Sequence, residues 1–418
     1  MNDVEALRAS PECAGQSTTG AARLAPTDAR SAFELPAGIY LYSHAVGCLP
    51  KVSREGASAY FEQWASGGGN AWDPWLGEVT RFNTALANLL SANVEDVCPQ
   101  INLSAALTKI IMALPKREGR NRIVLSLLDF PTIGFVAQQA ERLGYEIVFA
   151  ENPVAAASSS RTAAEMPPPQ NEIDPRLALI DERCALVIWT HAYPNTGTAI
   201  EPPTREQIHG AYLCVDIAQS AGVLPIDVAQ WDADFVIGSC VKWLCGGPGA
   251  GYLWVRPNLT PQLEPLDVGW FSHARPFDFD ITSFQYAPDA ARFWGGTPSI
   301  LPYAVASRSI HVILQYGVAL IRAHNLALSR IVTDAALAKG IKVVSPTVGE
   351  AFMPSNAGAT NGSPTQSGTV VLDFGDNLEA KQRLNGAGVH CDSRKYGVRI
   401  SPHIYNTVEE MAELSKLL

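Results

Sequence analysis

The sequence predicts an α/β protein: a mostly parallel β-sheet with flanking helices, followed by a smaller C-terminal α+β domain. Short runs rich in β-branched and aromatic residues alternate with helical stretches, which is the pattern of parallel strands joined by crossover helices. The clearest strands are RIVLSLL (122–128), CALVIWT (184–190), AYLCVDI (211–217) and ADFVIGS (233–239). A strand-like GTVVLDF (368–374) and a helical TVEEMAELSKLL (407–418) predict the smaller unit.

These patterns divide the chain into four parts. We expect a flexible leader at 1–34, a segment at 35–75 that packs on the small domain or the active-site entrance, a large domain at 76–300, and a small domain at 301–418. Residues 301–340 read as one long helix or two joined helices. Two low-complexity stretches, 153–170 and 356–368, predict exposed loops.

Composition excludes several classes of function. A formal charge of −10 with no Lys/Arg cluster argues against a nucleic-acid surface. The N-terminus has no apolar signal region and no stretch reaches membrane-spanning length, so we expect a cytoplasmic protein without membrane contact. The eight cysteines form no CxxC pair, which predicts reduced thiols and no metal site.

Unusual polar and aromatic residues follow the four predicted strands. Ligands collect at the carboxyl ends of the strands in an open parallel sheet, so these side chains are expected to converge. In strand order they are Phe130, then Thr190 and His191, then Asp216 and Gln219, and finally Lys242.

This set of residues suits pyridoxal 5'-phosphate (PLP). A lysine must form the Schiff base, and an aspartate must pair with the pyridine nitrogen so that the ring accepts electrons. An aromatic side chain can stack on the ring, and a polar one can bind its phenolic oxygen. The phosphate needs a helix N-terminus, which INLSAALTKIIMAL supplies with Asn102 or Ser104 as the cap.

Each residue also has a structural interpretation when taken alone. An Asp at a strand end is often a turn residue, a Lys there is usually solvated, and Phe130 alone would be core. The combination favours the cofactor, because Asp216 and Lys242 are 26 residues apart with one strand between them. That spacing predicts side chains at adjacent strand ends.

The sequence resembles the class V aminotransferases of PLP fold type I, and within them the kynureninase-like branch. The resemblance rests on VDIAQSAGVLPIDVAQWDADFVIGSCVKWLCGGPGAGYLWV (215–255), GWFSH (269–273), RFWGGTPSIL (292–301) and VRISPHIYNTVEEM (398–411). The last block is shared with cysteine desulfurases, and some features resemble isopenicillin-N epimerases. The resemblance implies a homodimer with shared active sites and an L-amino-acid substrate.

The resemblance also implies roles for single residues. Lys242 falls at the Schiff-base position and Asp216 at the pyridine-nitrogen position, with Gln219 beside the cofactor. Phe130 falls where the branch stacks an aromatic ring. Phosphate contacts are implied for Ser104 and Thr190 and, from a dimer partner, for Trp270 and Thr297. Arg399 falls where the family binds the substrate α-carboxylate, although a surface ion pair is its alternative.

Departures from the kynureninase pattern bear on the reaction. Kynureninases carry an acid–base Tyr just before the lysine, and here the residue is Val241. Their His after the cofactor Asp is Gln219, and the Asp of their FPSD-type motif is replaced by Ile133. The nearest candidate for a desulfurase nucleophile is Cys391, which we expect to be a small buried residue.

Three hypotheses follow for the function. The first is a lyase or hydrolase that labilises a C–C or C–S bond at the β-carbon of an amino acid. The second is an aminotransferase or epimerase in which Val241 lines a different substrate pocket. The third is a catalytically silent scaffold, which the joint presence of Lys242, Asp216 and Arg399 disfavours.

Two features have no assigned role. His273 could contact phosphate or substrate or cap a helix, and GGGNAWDPW (67–75) could form a lid or pack in a dimer.

Overall fold

The computed structural model describes residues 29–151, 174–347 and 365–418. The predicted loop at 153–170, most of the leader and most of the loop at 356–368 lie outside these ranges. The predicted domain boundaries stay predictions.

The helices are α1 (Ser53–Gly67), α2 (Trp72–Leu90), α3 (Leu103–Ala113), α4 (Pro131–Gln139), α5 (Leu301–Tyr316), α6 (Val318–Ala338), α7 (Asn377–Gly386) and α8 (Val408–Leu417). The strands are β1 (Phe33–Glu34), β2 (Ile39–Tyr40), β3 (Leu49–Pro50), β4 (Val97–Gln100), β5 (Arg122–Ser126), β6 (Glu146–Ala150), β7 (Cys184–Thr190), β8 (Thr198–Ala199), β9 (Tyr212–Asp216), β10 (Phe235–Ser239), β11 (Gly251–Val255), β12 (Lys342–Val343), β13 (Thr365–Gln366), β14 (Val370–Asp373), β15 (Val389–His390), β16 (Asp392–Arg394) and β17 (Gly397–Ile400).

A seven-stranded sheet in the order β4-β11-β10-β9-β7-β5-β6 forms the centre of the molecule. Strands β10, β9, β7, β5 and β6 run parallel, and β11 runs antiparallel to both neighbours. Alternate residues of β7 enter two different cores, with Val187 and Trp189 in one and Leu186 and Ile188 in the other. Burial on both faces explains why the strand is continuously apolar. The predicted mostly parallel sheet is confirmed.

A second sheet, β12-β14-β17-β16, is antiparallel and carries its own core. Helices α6 and α8 pack against each other beside it. The stretch 301–340, predicted as one long helix or two joined helices, forms two helices, because the chain breaks at Gly317 with a φ of 81°.

Among the described residues no single helix is long and apolar enough to cross a membrane, although α5 and α6, bent by 76°, pass that test as a pair.

The Trp- and Gly-rich segment near the N-terminus is more helical than its composition indicates. Helix α1 ends at the glycines, where Gly68 has a φ of 51°, and α2 begins at Trp72 with Pro74 in its first turn. Proline is tolerated there because the first amides of a helix need no intrahelical partner. Trp72 and Trp75 contact each other edge to face, and Trp72 also contacts Trp270. These contacts lie within one chain, so the lid and the dimer contact expected for GGGNAWDPW both stay predictions.

Residues 39–48 run from the core beside the second sheet, where Leu41 is buried, to the loop that carries Lys242. Strand β2 pairs with β15, and the amide of Gly47 donates to the Val241 carbonyl at 2.9 Å. A Cβ at Gly47 would lie 2.2 Å from the Lys242 carbonyl oxygen and 2.5 Å from Cys245 Sγ. Glycine is therefore required for the close approach of these two backbones.

We expect Gly47→Ala to lower the free energy of unfolding by about 1–3 kcal/mol, because the added methyl overlaps backbone that has no room to move. The matched control is Gly77→Ala in α2, where a Cβ meets nothing within 4 Å and alanine is the better helix former. Chemical denaturation of both variants checks this. Equal unfolding midpoints would contradict the proposed close approach.

Candidate active site

Four adjacent parallel strands, β10, β9, β7 and β5, deliver the predicted residues to one edge of the central sheet. Asp216 is the last residue of β9, and its neighbours in register are Thr190 on β7 and Ile237 on β10. Lys242 follows β10 by three residues, and Phe130 precedes α4. The prediction that Asp216 and Lys242 occupy adjacent strand ends is confirmed.

The amine of Lys242 is the centre of this group. Its Nζ lies 5.5 Å from the centroid of the Phe130 ring. Burial lowers the pKa of the amine from 10.5 to about 8, while the Asp216 carboxylate acts in the opposite direction and the guanidinium of Arg399 adds to the lowering. Among the described residues the amine has no hydrogen bond or ion pair, so it is free to react.

Asp216 is buried and only half satisfied. Its Oδ1 accepts a hydrogen bond from the Ala218 amide at 2.8 Å, and Oδ2 has no partner in the described part of the chain. Burial raises the pKa of the carboxyl, whereas the Ala218 amide and the Lys242 amine act to lower it. A cation placed against Oδ2 would stabilise the charged form of this carboxyl.

Thr190 and Asp129 form a second buried polar pair beside Asp216. Thr190 Oγ1 helps to lower the pKa of the Asp129 carboxyl, yet no hydrogen bond of normal geometry reaches either Oγ1 or Asp129 Oδ1. Burial raises the pKa of Asp129 to about 6, against the opposing guanidinium of Arg176. Unpaired buried polar atoms are rare in folded proteins and call for a ligand or a functional reason.

Gln219 and His191 are both held by protein groups. The Gln219 amide donates to the His44 carbonyl at 3.0 Å and accepts from the Trp243 indole at 3.2 Å, which leaves one N–H for a ligand. His191 is buried, with Nδ1 at 2.9 Å from Ser220 Oγ and Nε2 at 3.5 Å from Glu201 Oε1.

The N-terminus of α3 is capped by Asn102, whose side chain accepts from the Ala105 amide at 2.9 Å. Of the two predicted caps, Asn102 is confirmed, and Ser104 lies in the first turn. Helix α3 packs on β10 and β11. A Cβ on Gly251 would lie 2.9 Å from the Asn102 Cα, so this glycine of the GGPGAG run lets the helix start approach β11.

Arg399 lies on β17 and is buried in an ion pair. Its Nε donates to Asp392 Oδ1 at 2.8 Å, its Nη2 donates to Oδ2 at 2.5 Å, and its Nη1 donates to the Pro194 carbonyl at 2.8 Å. The alternative of a surface ion pair for Arg399 is wrong: an ion pair is present, but it is buried, because both side chains are less than a tenth exposed.

The two segments that carry Trp270 and Thr297 contact each other. The Phe271 amide donates to the Gly295 carbonyl at 3.0 Å, and Gly269 lies against Gly295 and Gly296. No hydrogen bond, ion pair or ring contact within the described residues links Trp270 or Thr297 to the strand-end group. Their implied role in a partner's site stays a prediction.

The remaining candidates have protein partners of their own. His273 accepts from the Arg275 amide at 2.9 Å through Nδ1 and contacts the Ser283 carbonyl through Nε2 at 3.1 Å. Cys391 is buried, and burial raises the pKa of its thiol to about 12, as expected for a core residue. No group of three or more metal-ligating side chains occurs among the described residues.

Three buried residues at this site were not identified from the sequence: Asp129, His44 and Asp392. Asp129 directly precedes Phe130 and could have been found from its place after a strand. His44 and Asp392 lie outside the large sheet, and no local pattern marks them. They are 348 residues apart in the chain and meet only in the folded protein, where His44 Nε2 lies 2.8 Å from Asp392 Oδ1.

The unpaired atoms at the sheet edge fit PLP. Lys242 Nζ matches the need for a Schiff-base amine, and Asp216 Oδ2 matches the need for an acceptor at the pyridine nitrogen. The Thr190 hydroxyl has no hydrogen-bond partner of normal geometry among the described residues, and it and the first turn of α3 would offer donors to the oxygens of the cofactor. The Phe130 ring is 41% exposed and available for stacking.

Comparisons with known proteins agree with this fit. The family model described as "Aminotransferase class-V" matches residues 102–414. An uncharacterized aminotransferase, YcbU, of Bacillus subtilis is 27% identical over 82% of this chain and 84% of its own. A kynureninase of Pseudomonas fluorescens is 29% identical over 72% of this chain and 71% of its own.

Solved structures share the fold at lower identity. A cysteine desulfurase of Thermococcus onnurineus superposes with a TM-score of 0.74 at 20% identity, covering 94% of this chain and 97% of that one. The cystine C–S lyase C-DES, solved with cysteine persulfide, gives 0.75 at 19% identity, covering 92% and 98%.

The depressed pKa of Lys242 is directly testable. In cofactor-free protein we expect its amine to react with trinitrobenzenesulfonate with a midpoint near pH 8. Asp216→Asn should lower the midpoint, because the carboxylate favours the ammonium form, and Arg399→Gln should raise it, because the guanidinium disfavours that form.

Peptide mapping by mass spectrometry measures the modification of Lys242 at each pH. The exposed Lys416 is the internal reference, because its modification in the same sample shows how much active reagent remains. A Lys242 midpoint near that of a free amine, or identical midpoints in both variants, would contradict the electrostatic description of the site.

Proposed function

The chain belongs to the class V aminotransferase family, and we propose that it acts within that family as a lyase labilising a bond at the β-carbon of an L-amino acid. Its membership makes it a PLP-dependent enzyme with an amino-acid substrate. The kynureninase relatives and the cystine C–S lyase neighbour support β-carbon chemistry. Which bond breaks has to be argued from the residues.

The observation that carries the proposal is the unpaired Lys242 amine with a pKa of about 8. A general base is most effective when its pKa is near the operating pH, so Lys242 suits removal of the substrate α-proton. When bound, PLP supplies an electron sink for the bond broken at the α-carbon.

We assign the cofactor contacts as follows. Asp216 accepts from the ring nitrogen, Phe130 stacks on the ring, and the free N–H of Gln219 reaches the phenolic oxygen. Ser104 and Thr190 contribute hydroxyl groups to the phosphate at the start of α3. Arg399 binds the substrate α-carboxylate, a role that suits the paired donors of a guanidinium.

Val241 favours cleavage of a C–S bond over a C–C bond. Its side chain has no group that can donate or accept a proton, and it stands where kynureninases have an acid–base Tyr. A thiolate can leave without a proton donor, because thiols ionise near pH 8.5. A carbon leaving group needs a proton. A cysteine conjugate would therefore break down to pyruvate, ammonia and a free thiol with uptake of one water.

The second candidate is an aminotransferase or epimerase. The match to the aminotransferase YcbU spans 82% of this chain, which favours transamination. In that case Val241 lines a different substrate pocket. The two functions differ in their requirements, since transamination consumes an α-keto acid and β-elimination does not.

We also propose a homodimer. Side chains at 266–284 expose a large apolar surface next to Trp270, with Phe279 70% and Ile281 99% exposed. Isolated monomers rarely expose such surfaces, which mark interaction sites. A second subunit covering this surface could bring Trp270 and Thr297 to its own phosphate site.

We expect the PLP-loaded protein to release pyruvate and ammonia from S-substituted L-cysteines without any α-keto acid. Lys242→Ala should reduce the rate by about 10²–10⁴-fold, because the α-proton loses its base. L-Alanine, which has no β-leaving group, and the Lys416→Ala variant are the matched controls. Pyruvate formation is followed by coupling to lactate dehydrogenase. Turnover that requires an α-keto acid would overturn the lyase proposal in favour of transamination.

A further inference from the structure

The buried ion pair of Arg399 leaves part of its guanidinium unused. A guanidinium has five N–H donors. Asp392 takes one from Nε and one from Nη2, and the Pro194 carbonyl takes one from Nη1. One N–H remains on each terminal nitrogen, and such a pair matches the two oxygens of a carboxylate.

The position of Asp392 is fixed by strand pairing and by its own partners. Asp392 on β16 is directly opposite Arg399 on β17. Its Oδ1 also accepts from His44 at 2.8 Å, and the Tyr42 hydroxyl lies 3.4 Å from Oδ2. Burial alone raises the pKa of Asp392, but the hydrogen bonds from His44 and Arg399 outweigh it and hold the pKa well below its usual range.

His44 is itself held in one orientation. Burial lowers its pKa to about 4, so the ring is neutral at neutral pH. Because the carboxylate can only accept, His44 Nε2 carries the proton and Nδ1 accepts from Ser401 Oγ at 2.7 Å. Ser401 Oγ in turn lies 2.8 Å from the Thr369 hydroxyl. The hydrogen bonds run in one direction, from Thr369 through Ser401 and His44 to the Asp392 carboxylate, which also accepts from Arg399.

The same segment touches the cofactor side of the site. The His44 carbonyl accepts from Gln219 at 3.0 Å, and the Gly47 amide donates to the carbonyl of Val241, which directly precedes Lys242. The position of Arg399 is thereby tied to the loop that carries the reactive amine.

We infer that Asp392 and His44 are positioning residues that orient Arg399 for the substrate α-carboxylate. The inference rests on the proposed role of Arg399. It says that the affinity of the site for a carboxylate depends on this network, whereas the reactivity of the Lys242-bound cofactor does not.

The test uses two probes that attack the cofactor carbon joined to Lys242 and that differ by one carboxylate. Aminooxyacetate carries it, and O-methylhydroxylamine does not. Loss of the visible band of the PLP-loaded protein gives a rate constant for each probe, and their ratio measures carboxylate recognition. We expect wild type to favour aminooxyacetate by about tenfold to a hundredfold, as charge-assisted hydrogen bonds allow.

Asp392→Asn should bring this ratio down by about tenfold, with the O-methylhydroxylamine rate within about twofold of wild type. Asp392→Glu keeps the acceptor and should restore part of the ratio. His44→Gln should lower the ratio less, and it serves if Asp392→Asn does not fold. The control is Asp334→Asn, which removes a carboxylate from an exposed ion pair with Arg330 and should change neither rate.

Two results would overturn the inference. One is an unchanged ratio in both Asp392→Asn and His44→Gln, and the other is an equal loss of rate with both probes, which indicates a purely structural role. Arg399→Lys separates the inference from the proposed function. If Arg399→Lys keeps the wild-type ratio, the carboxylate role of Arg399 fails, and if it alone lowers the ratio, only the role of the network fails.

Discussion

The site depends on one electrostatic compromise, the burial of the Lys242 amine beside the Asp216 carboxylate. Burial alone favours the neutral amine and the neutral acid, whereas their mutual attraction favours the charged pair. The outcome is an amine with a pKa of about 8 and a carboxyl whose pKa is raised. The parallel pairing of β9 and β10 places the two groups at adjacent strand ends. Among the described residues no hydrogen bond joins them, so the backbone fixes their separation.

Several buried polar groups at this edge lack partners, and this has a cost in stability. Thr190 Oγ1 and Asp129 Oδ1 are buried without normal hydrogen bonds. An unpaired buried polar group typically costs about 1–3 kcal/mol. Such groups tend to persist at sites where a ligand completes the bonding. The central sheet, with its two cores, provides the rigidity that keeps them in place.

The central sheet and its strand ends were predictable from sequence because the signals are local. A continuous apolar run such as CALVIWT identifies a strand buried on both faces, and a Gly or Asn near a helix end identifies its limit. The confirmed Asn102 cap and the adjacent ends of β9 and β10 follow from such signals. The Asp392–Arg399–His44 network was not predictable. It depends on which residue of β16 is opposite Arg399, and on a histidine 348 positions before Asp392 in the chain.

The central claim is that Lys242 is the amine that binds the cofactor, and borohydride trapping tests it most directly. PLP is added to wild-type protein and to Lys242→Ala, the visible absorption band is recorded, and the sample is reduced with borohydride and mapped by mass spectrometry. The account predicts a visible band in wild type, a single pyridoxyl-modified peptide that contains Lys242, and neither feature in the variant. Modification at another lysine, or a wild-type band that survives in Lys242→Ala, would contradict it.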